Sequence, residues 1–145
     1  MPEKETLERA RKDKREGKAP STQAGEFVRE EIEHVREGKH GARSAKQVIA
    51  IGLSKARRAG VKLPAPKGSQ KTREQAARDT RKGKSTTKGT KSAKRSRAML
   101  AKLKGEGHSA ASKTALSRHA RRAAARRSAA SRSRSANKAA ATRKK

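Results

Sequence analysis

Ser44-Ala45-Lys46-Gln47-Val48-Ile49-Ala50-Ile51-Gly52-Leu53-Ser54-Lys55-Ala56-Arg57-Arg58-Ala59-Gly60 carries the clearest helical signal in the chain. Ala45, Val48, Ile49, Gly52, Leu53 and Ala56 recur at helical spacing and line one face. Ser44 and Gln47 stand at the offset of a capping box, where each side chain satisfies a backbone N–H of the first turn. Gly60 has the character of a residue just past a helix C-terminus. Gly52 sits mid-face, where a missing side chain lets a second helix approach closely.

The partner helix precedes it. Ser21 or Thr22 can cap a helix running to about Glu37, with Gly38 ending it. Ala24, Phe27, Val28, Ile32 and Val35 form its apolar stripe, and Glu26, Arg29, Glu30, Glu33 and Arg36 occupy the rest. Val61 and Leu63 fold back before Pro64 and Pro66 close the unit. The expectation is an antiparallel hairpin over residues 21–63, with Phe27, Val28, Ile32, Val35, Val48, Ile49, Gly52 and Leu53 at its core. About 40 residues is close to the size below which one core seldom suffices, so the same face invites a homodimer.

Arg43 to Arg57 resembles the recurring segment of a family of small basic bacterial proteins of unknown function, roughly Arg-Ser-x-Lys-Gln-Ala-Ile-Ala-Ile-Ala-Leu-Ser-x-Ala-Arg. The lead-in Arg36-Glu37-Gly38-Lys39-His40-Gly41 is similar too, and the likeness covers about Glu26–Gly60. Lys55 stands where an acidic residue is expected after the serine. The resemblance implies a fold and no activity. The Ala/Lys/Arg/Ser tail is similar in style to linker-histone tails.

Outside the hairpin the sequence is poor in core material. Leu, Ile, Val and Phe number 14 in 145 residues, and ten of them lie between Phe27 and Leu63. That content falls below the level at which a chain orders itself. Residues 1–20 read as a charged arm whose helix, Glu3 to Arg15, has i,i+4 pairs Glu5–Arg9 and Glu8–Lys12 but only Leu7 to dock with, so it frays. Residues 64–95 read as a flexible basic linker, and 96–145 as a tail with latent helices at Ser96–Lys104 and Ser112–Ala130. The expected fold class is mostly α with extensive disorder, a short hairpin followed by a long disordered cationic tail.

Charge follows the same division. Residues 1–40 hold ten Lys/Arg and ten Asp/Glu, whereas residues 41–145 hold 32 Lys/Arg against Glu74, Asp79 and Glu106. The formal charge of +29 thus lies on the later part. Each cation that neutralises a phosphate releases a counterion, so nucleic acid is the favoured partner. Lys46, Lys55, Arg57 and Arg58 decorate the second hairpin helix. The tail offers Lys102, Lys104, Lys113, Arg118, Arg121 and Arg122, then Arg126, Arg127, Arg132, Arg134, Arg143, Lys144 and Lys145. Phe27 is the only aromatic and falls on the core face, which removes the stacking platform of a single-strand reader. The expected function is sequence-tolerant binding and compaction of duplex DNA, in the manner of a nucleoid-associated protein. Structured RNA is the first alternative, and a hydrophilic stress protectant with no fixed ligand is the second.

Other chemistry finds little support. There is no cysteine. His34, His40, His108 and His119 are dispersed. Glu30–His34 has the spacing of a weak metal site, but surface pairing on a charged helix is the commoner outcome, so no metal or cofactor is expected. Ser109, Ser112 and Ser117 lie near His108 and His119 without an acidic orienter. Gly83-Lys84-Ser85 lacks the upstream glycine of a phosphate loop. No enzyme is expected. Ser96-Arg97 and Arg132-Ser133-Arg134-Ser135 resemble basophilic phosphorylation sites, though serine also serves there as polar filler. Met1–Pro20 lacks the apolar run of a signal peptide, Glu3, Glu5 and Glu8 disfavour a transit peptide, and no run is long enough for a membrane span. The expected location is the cytoplasm, on the nucleoid.

Overall fold

A computed structural model describes residues 1–86, 89–90 and 92–144. Among the described residues the chain forms seven α-helices and no strand: α1 Lys4–Arg15, α2 Pro20–Arg36, α3 Ala45–Arg58, α4 Gln70–Lys84, α5 Ala93–Lys104, α6 Lys113–Ala125 and α7 Ala129–Arg143. A short 3-10 turn, Ser109–Ala111, precedes α6.

The hairpin of α2 and α3 is the centre. Pro20 takes the first helical position of α2, where its missing N–H costs nothing, so the helix starts just ahead of Ser21. Ser44 Oγ accepts from the Gln47 N–H at 3.2 Å, and Gln47 Oε1 accepts from the Arg43 N–H at 2.8 Å. Gly38 and Gly60 end the two helices in the left-handed region, at φ of 75° and 92°. A Cβ on Gly52 would stand 2.6 Å from the Val28 Cα, so the two helices touch backbone to backbone there.

Two apolar clusters flank that crossing. One gathers Ala10, Ala24, Phe27, Ala56 and Val61, with Leu7, Leu53 and Leu63 packed against it. The other gathers Val35, Ala42, Val48, Ala110 and Ala111, with Ile32 beside them. Phe27, Val35, Val48 and Gly52 are buried, whereas Val28, Ile32, Ile49 and Leu53 are half-buried.

Helix α1 docks on α2. Leu7 and Ala10 reach the first cluster, and the rest of the attachment is polar. Arg9 Nε donates to Glu26 Oε2 at 2.6 Å, Lys18 Nζ meets Asp13 Oδ1 at 2.7 Å, and Gln23 Nε2 donates to the Lys18 carbonyl at 2.9 Å. Thr6 and Asp13 are buried. Charged side chains on α1 thus supply the docking that its apolar count does not.

The expectation of a hairpin followed by a long disordered tail is overturned. The segment read as a linker contains α4, which packs on α3 through buried Asp79. Ser54 Oγ donates to Asp79 Oδ2 at 2.5 Å, and Arg58 Nε donates to Oδ1 at 2.7 Å. A Cβ on Gly83 would fall 2.1 Å from the Arg57 carbonyl oxygen, so α4 also needs a glycine at this contact. The segment read as tail completes the second apolar cluster with Ala110 and Ala111. It is tied by Gly41 N–H to Leu103 O at 2.8 Å, Ala42 N–H to Gly107 O at 2.9 Å and Arg36 Nε to Ala111 O at 2.9 Å.

Helices α4 to α7 form without a large apolar stripe because their signals are local. Ser69, Ser92, Ser112 and Ser128 each cap a helix, accepting from the backbone N–H of Thr72, Arg95, Ala115 and Ser131. Their sequences are rich in Ala, Arg and Lys, which lose little freedom in a helix.

Candidate functional site

The cations on α3 differ in what they face. Lys46 is exposed on the first turn. Lys55 turns inward to Glu30, at 3.0 Å, and to Glu31. Arg57 is buried and donates from Nη2 to the Pro64 carbonyl at 3.3 Å. Arg58 holds Asp79. Three of the four sequence-selected cations on this helix therefore bind the fold together, and Lys46 alone of them is exposed without a described partner.

The later helices are different. Lys102 and Lys104 are exposed on the last turn of α5. Lys113, Arg118 and Arg121 share one side of α6 with Thr114 and Ser117, where they line a shallow concavity. Arg122 is exposed beside them. Ala115, Leu116 and His119 are half-buried. Leu116 lies at a depression between α2 and α3 lined also by Val28, Ile32 and Leu53. A single leucine thus orients α6 and turns its cationic side outward.

Arg126 is exposed at the break between α6 and α7. Arg127 folds onto the start of α7, donating from Nη2 to the Ser131 carbonyl at 2.9 Å and to the Ser135 hydroxyl. Arg132, Arg134, Arg143 and Lys144 are exposed along α7, and Lys145 lies outside the described residues. No Asp or Glu follows Glu106, while twelve Lys/Arg do, and Lys102, Lys104, Lys113, Arg118, Arg121 and Arg122 are exposed.

Inside, α1, α2 and α3 enclose a polar network that the sequence reading did not assemble. Glu30 and Glu31 are only 2% and 1% exposed, although Glu30 lies off the apolar stripe that predicts the buried face. Glu30 Oε1 meets Lys55, and its Oε2 accepts from the Glu3 N–H at 3.2 Å. His34 Nε2 lies 2.9 Å from Glu3 Oε1, which Lys39 Nζ also approaches at 3.1 Å. His40 Nε2 lies 3.1 Å from Glu31 Oε2, and its Nδ1 lies 3.0 Å from the Gly41 carbonyl oxygen. The two imidazoles stand edge to face with centroids 6.1 Å apart.

Pairing moves Glu3, Glu30 and Lys55 away from their ordinary values. The His34 hydrogen bond, then Lys39, holds the Glu3 carboxyl below its ordinary value. Burial pushes Glu30 up, but Lys55, Thr6 and the Glu3 N–H outweigh it, leaving Glu30 below the usual range. Burial likewise pushes Lys55 down, and Glu31 and Glu30 more than restore it. The sequence held one clue to this interior, adjacent glutamates on an amphipathic helix with His34 a turn later. Nothing in it placed His40, whose position depends on the Gly38–Gly41 turn.

No curated protein and no solved structure matches this chain. Residues 11–67, from within α1 through the connection to α4 and including the whole α2–α3 hairpin, are similar to the Family of unknown function (DUF6496).

Proposed function

We propose that the protein binds duplex DNA with little sequence preference through α5, α6 and α7, and compacts it on the nucleoid. The observation that carries this reading is the orientation of α6. Leu116 lies at the α2–α3 depression, and Lys113, Arg118 and Arg121 stand on one exposed side with no carboxylate in the following sequence. Cations held on a helix and lacking partners meet phosphate oxygens and release counterions, an interaction indifferent to base sequence. The single aromatic, Phe27, is 1% exposed and offers no stacking surface to a base. Two cationic helices separated by the break at Arg126 give two places to hold a duplex, which is what compaction requires.

Binding is tested by salt titration on two unrelated duplexes and a structured RNA hairpin. Six to ten simultaneous phosphate contacts predict a slope of about −5 to −9 in log K against log salt, equal for both duplexes. Stronger binding to the RNA hairpin would favour a ribosome or structured-RNA partner. Absence of binding to any of them at physiological salt would support the stress-protectant reading instead.

A further inference from the structure

We infer that Glu31, His34 and His40 form a binding site for one first-row divalent transition-metal ion, with Zn2+ as the best match. The candidate ligand atoms of the three residues lie within 4.8 Å of one another, and Glu31 and His40 are buried.

The hydrogen bonds around the histidines fix which nitrogen is free. A carbonyl oxygen can only accept, so the contact of His40 Nδ1 with Gly41 O, at 3.0 Å, requires a proton on Nδ1. In the neutral ring that leaves a lone pair on Nε2, aimed at Glu31 Oε2 only 3.1 Å away. The same reasoning holds for His34, whose Nε2 donates to the Glu3 carboxylate at 2.9 Å. Its Nδ1 then presents a lone pair 3.5 Å from Glu31 Oε1. Each imidazole is therefore oriented from behind, one by a backbone carbonyl and one by a carboxylate, as metal-ligating histidines commonly are.

Electron-rich atoms converge on one place. Glu31 Oε1 is buried and is met by the Lys55 ammonium, which is shared with Glu30. Two buried carboxylates thus share one ammonium. Two imidazoles and a carboxylate are a donor set suited to Zn2+, and such sites leave a fourth position for water. On binding, Lys55 remains with Glu30. The ion would join the last turns of α2 to the Gly38–Gly41 turn, next to the backbone bonds from Gly41 and Ala42 that hold Leu103 and Gly107. This inference stands apart from the nucleic-acid reading, since none of its residues belongs to α5, α6 or α7.

The test uses the full chain, stripped with a chelator and titrated with Zn2+ by calorimetry and with Co2+ by visible absorption. One ion per chain in the micromolar range or tighter, with the Co2+ bands of a low-coordinate N/O site, is expected. Glu31→Gln and His40→Gln should each weaken binding by at least about tenfold, with circular dichroism checking that they fold. Glu3→Gln alters an exposed side chain that orients His34, so it tests the site without burying a new group, and should weaken binding by about tenfold. The pair His108→Ala and His119→Ala should leave affinity unchanged. No binding to the wild type would overturn the inference. So would unchanged affinity in the folded Glu31→Gln or Glu3→Gln variants, or loss of binding in the His108/His119 pair.

Discussion

Arg58 on α3 donates from Nε to Oδ1 of Asp79 on α4 at 2.7 Å, with the carboxylate buried and the guanidinium half-exposed. Ser54 completes the grip on the other oxygen at 2.5 Å. Burial alone would push the Asp79 carboxyl up, but Ser54 and Arg58 outweigh it and hold it below its ordinary value. A carboxylate whose pKa is lower folded than unfolded stabilises above its unfolded pKa, about 3.9, and that contribution is lost as pH falls through the folded value. Asp79→Asn should therefore release α4 at neutral pH, costing about 1–3 kcal/mol because Arg58 remains partly solvated. Amide exchange across Gln70–Lys84 should accelerate in the variant, and in the wild type only below about pH 4. Unchanged protection in Asp79→Asn would mean that Gly83 and the backbone contact alone hold α4.

Gly52 and Gly25 give a matched pair of glycine tests. An added Cβ at Gly52 meets the Val28 Cα at 2.6 Å and its backbone nitrogen at 2.9 Å, where neither can swing aside. Gly52→Ala should separate α2 from α3 and cost about 1–3 kcal/mol. A Cβ at Gly25 meets nothing within 4 Å, and this glycine lies within α2. Gly25→Ala should raise stability by about 0.5–1 kcal/mol through helix propensity alone. Urea midpoints of the two variants should move in opposite directions.

Phe27 is the largest side chain in the first cluster and bridges Ala10 of α1, Ala24 of α2 and Ala56 of α3. Small alanines around one phenyl ring leave few atoms able to refill its volume. Phe27→Ala should cost about 3–5 kcal/mol, read as loss of cooperative thermal unfolding by circular dichroism. Loss of nucleic-acid binding with the helical signal and its cooperative melt intact would instead make Phe27 a stacking residue.

The parts of this fold legible in the sequence are those encoded by apolar period. Ala45, Val48, Gly52 and Ala56 repeat on α3, and the stripe, the Ser44 cap and the Gly60 terminus give that helix nearly to the residue. Helices α4 to α7 were encoded too, but by serine caps and alanine content, which an apolar count does not register. Burial of Ala110 and Ala111 shows why that count misleads, since two methyl groups suffice where the α2–α3 end leaves a small gap. The metal-type cluster was the least legible. Glu31 and His34 share a helix, whereas His40 reaches them only through the conformation of a turn. Lys55 and Arg58 read as surface cations because the carboxylates that hold them lie 24 or 25 and 21 residues away.

The proposed α6 interface can be tested by charge reversal. Lys113, Arg118 and Arg121 lie on one exposed side, opposite half-buried Leu116 and Ala115, so replacing all three with Glu should not disturb packing. Glutamate is also a good helix former. Loss of three phosphate contacts should make the salt slope shallower by about 2.7, and charge reversal should lower affinity further at every salt concentration. The same replacement at Arg132, Arg134 and Arg143 on α7 separates two geometries. If both helices grip one duplex, each triple variant loses affinity to a similar degree. If they hold separate duplexes, either variant keeps binding a short duplex but no longer brings two together, measured by light scattering with long DNA. An α6 variant that retained the wild-type slope, affinity and condensation would remove this helix from the interface and with it the reading built on its orientation.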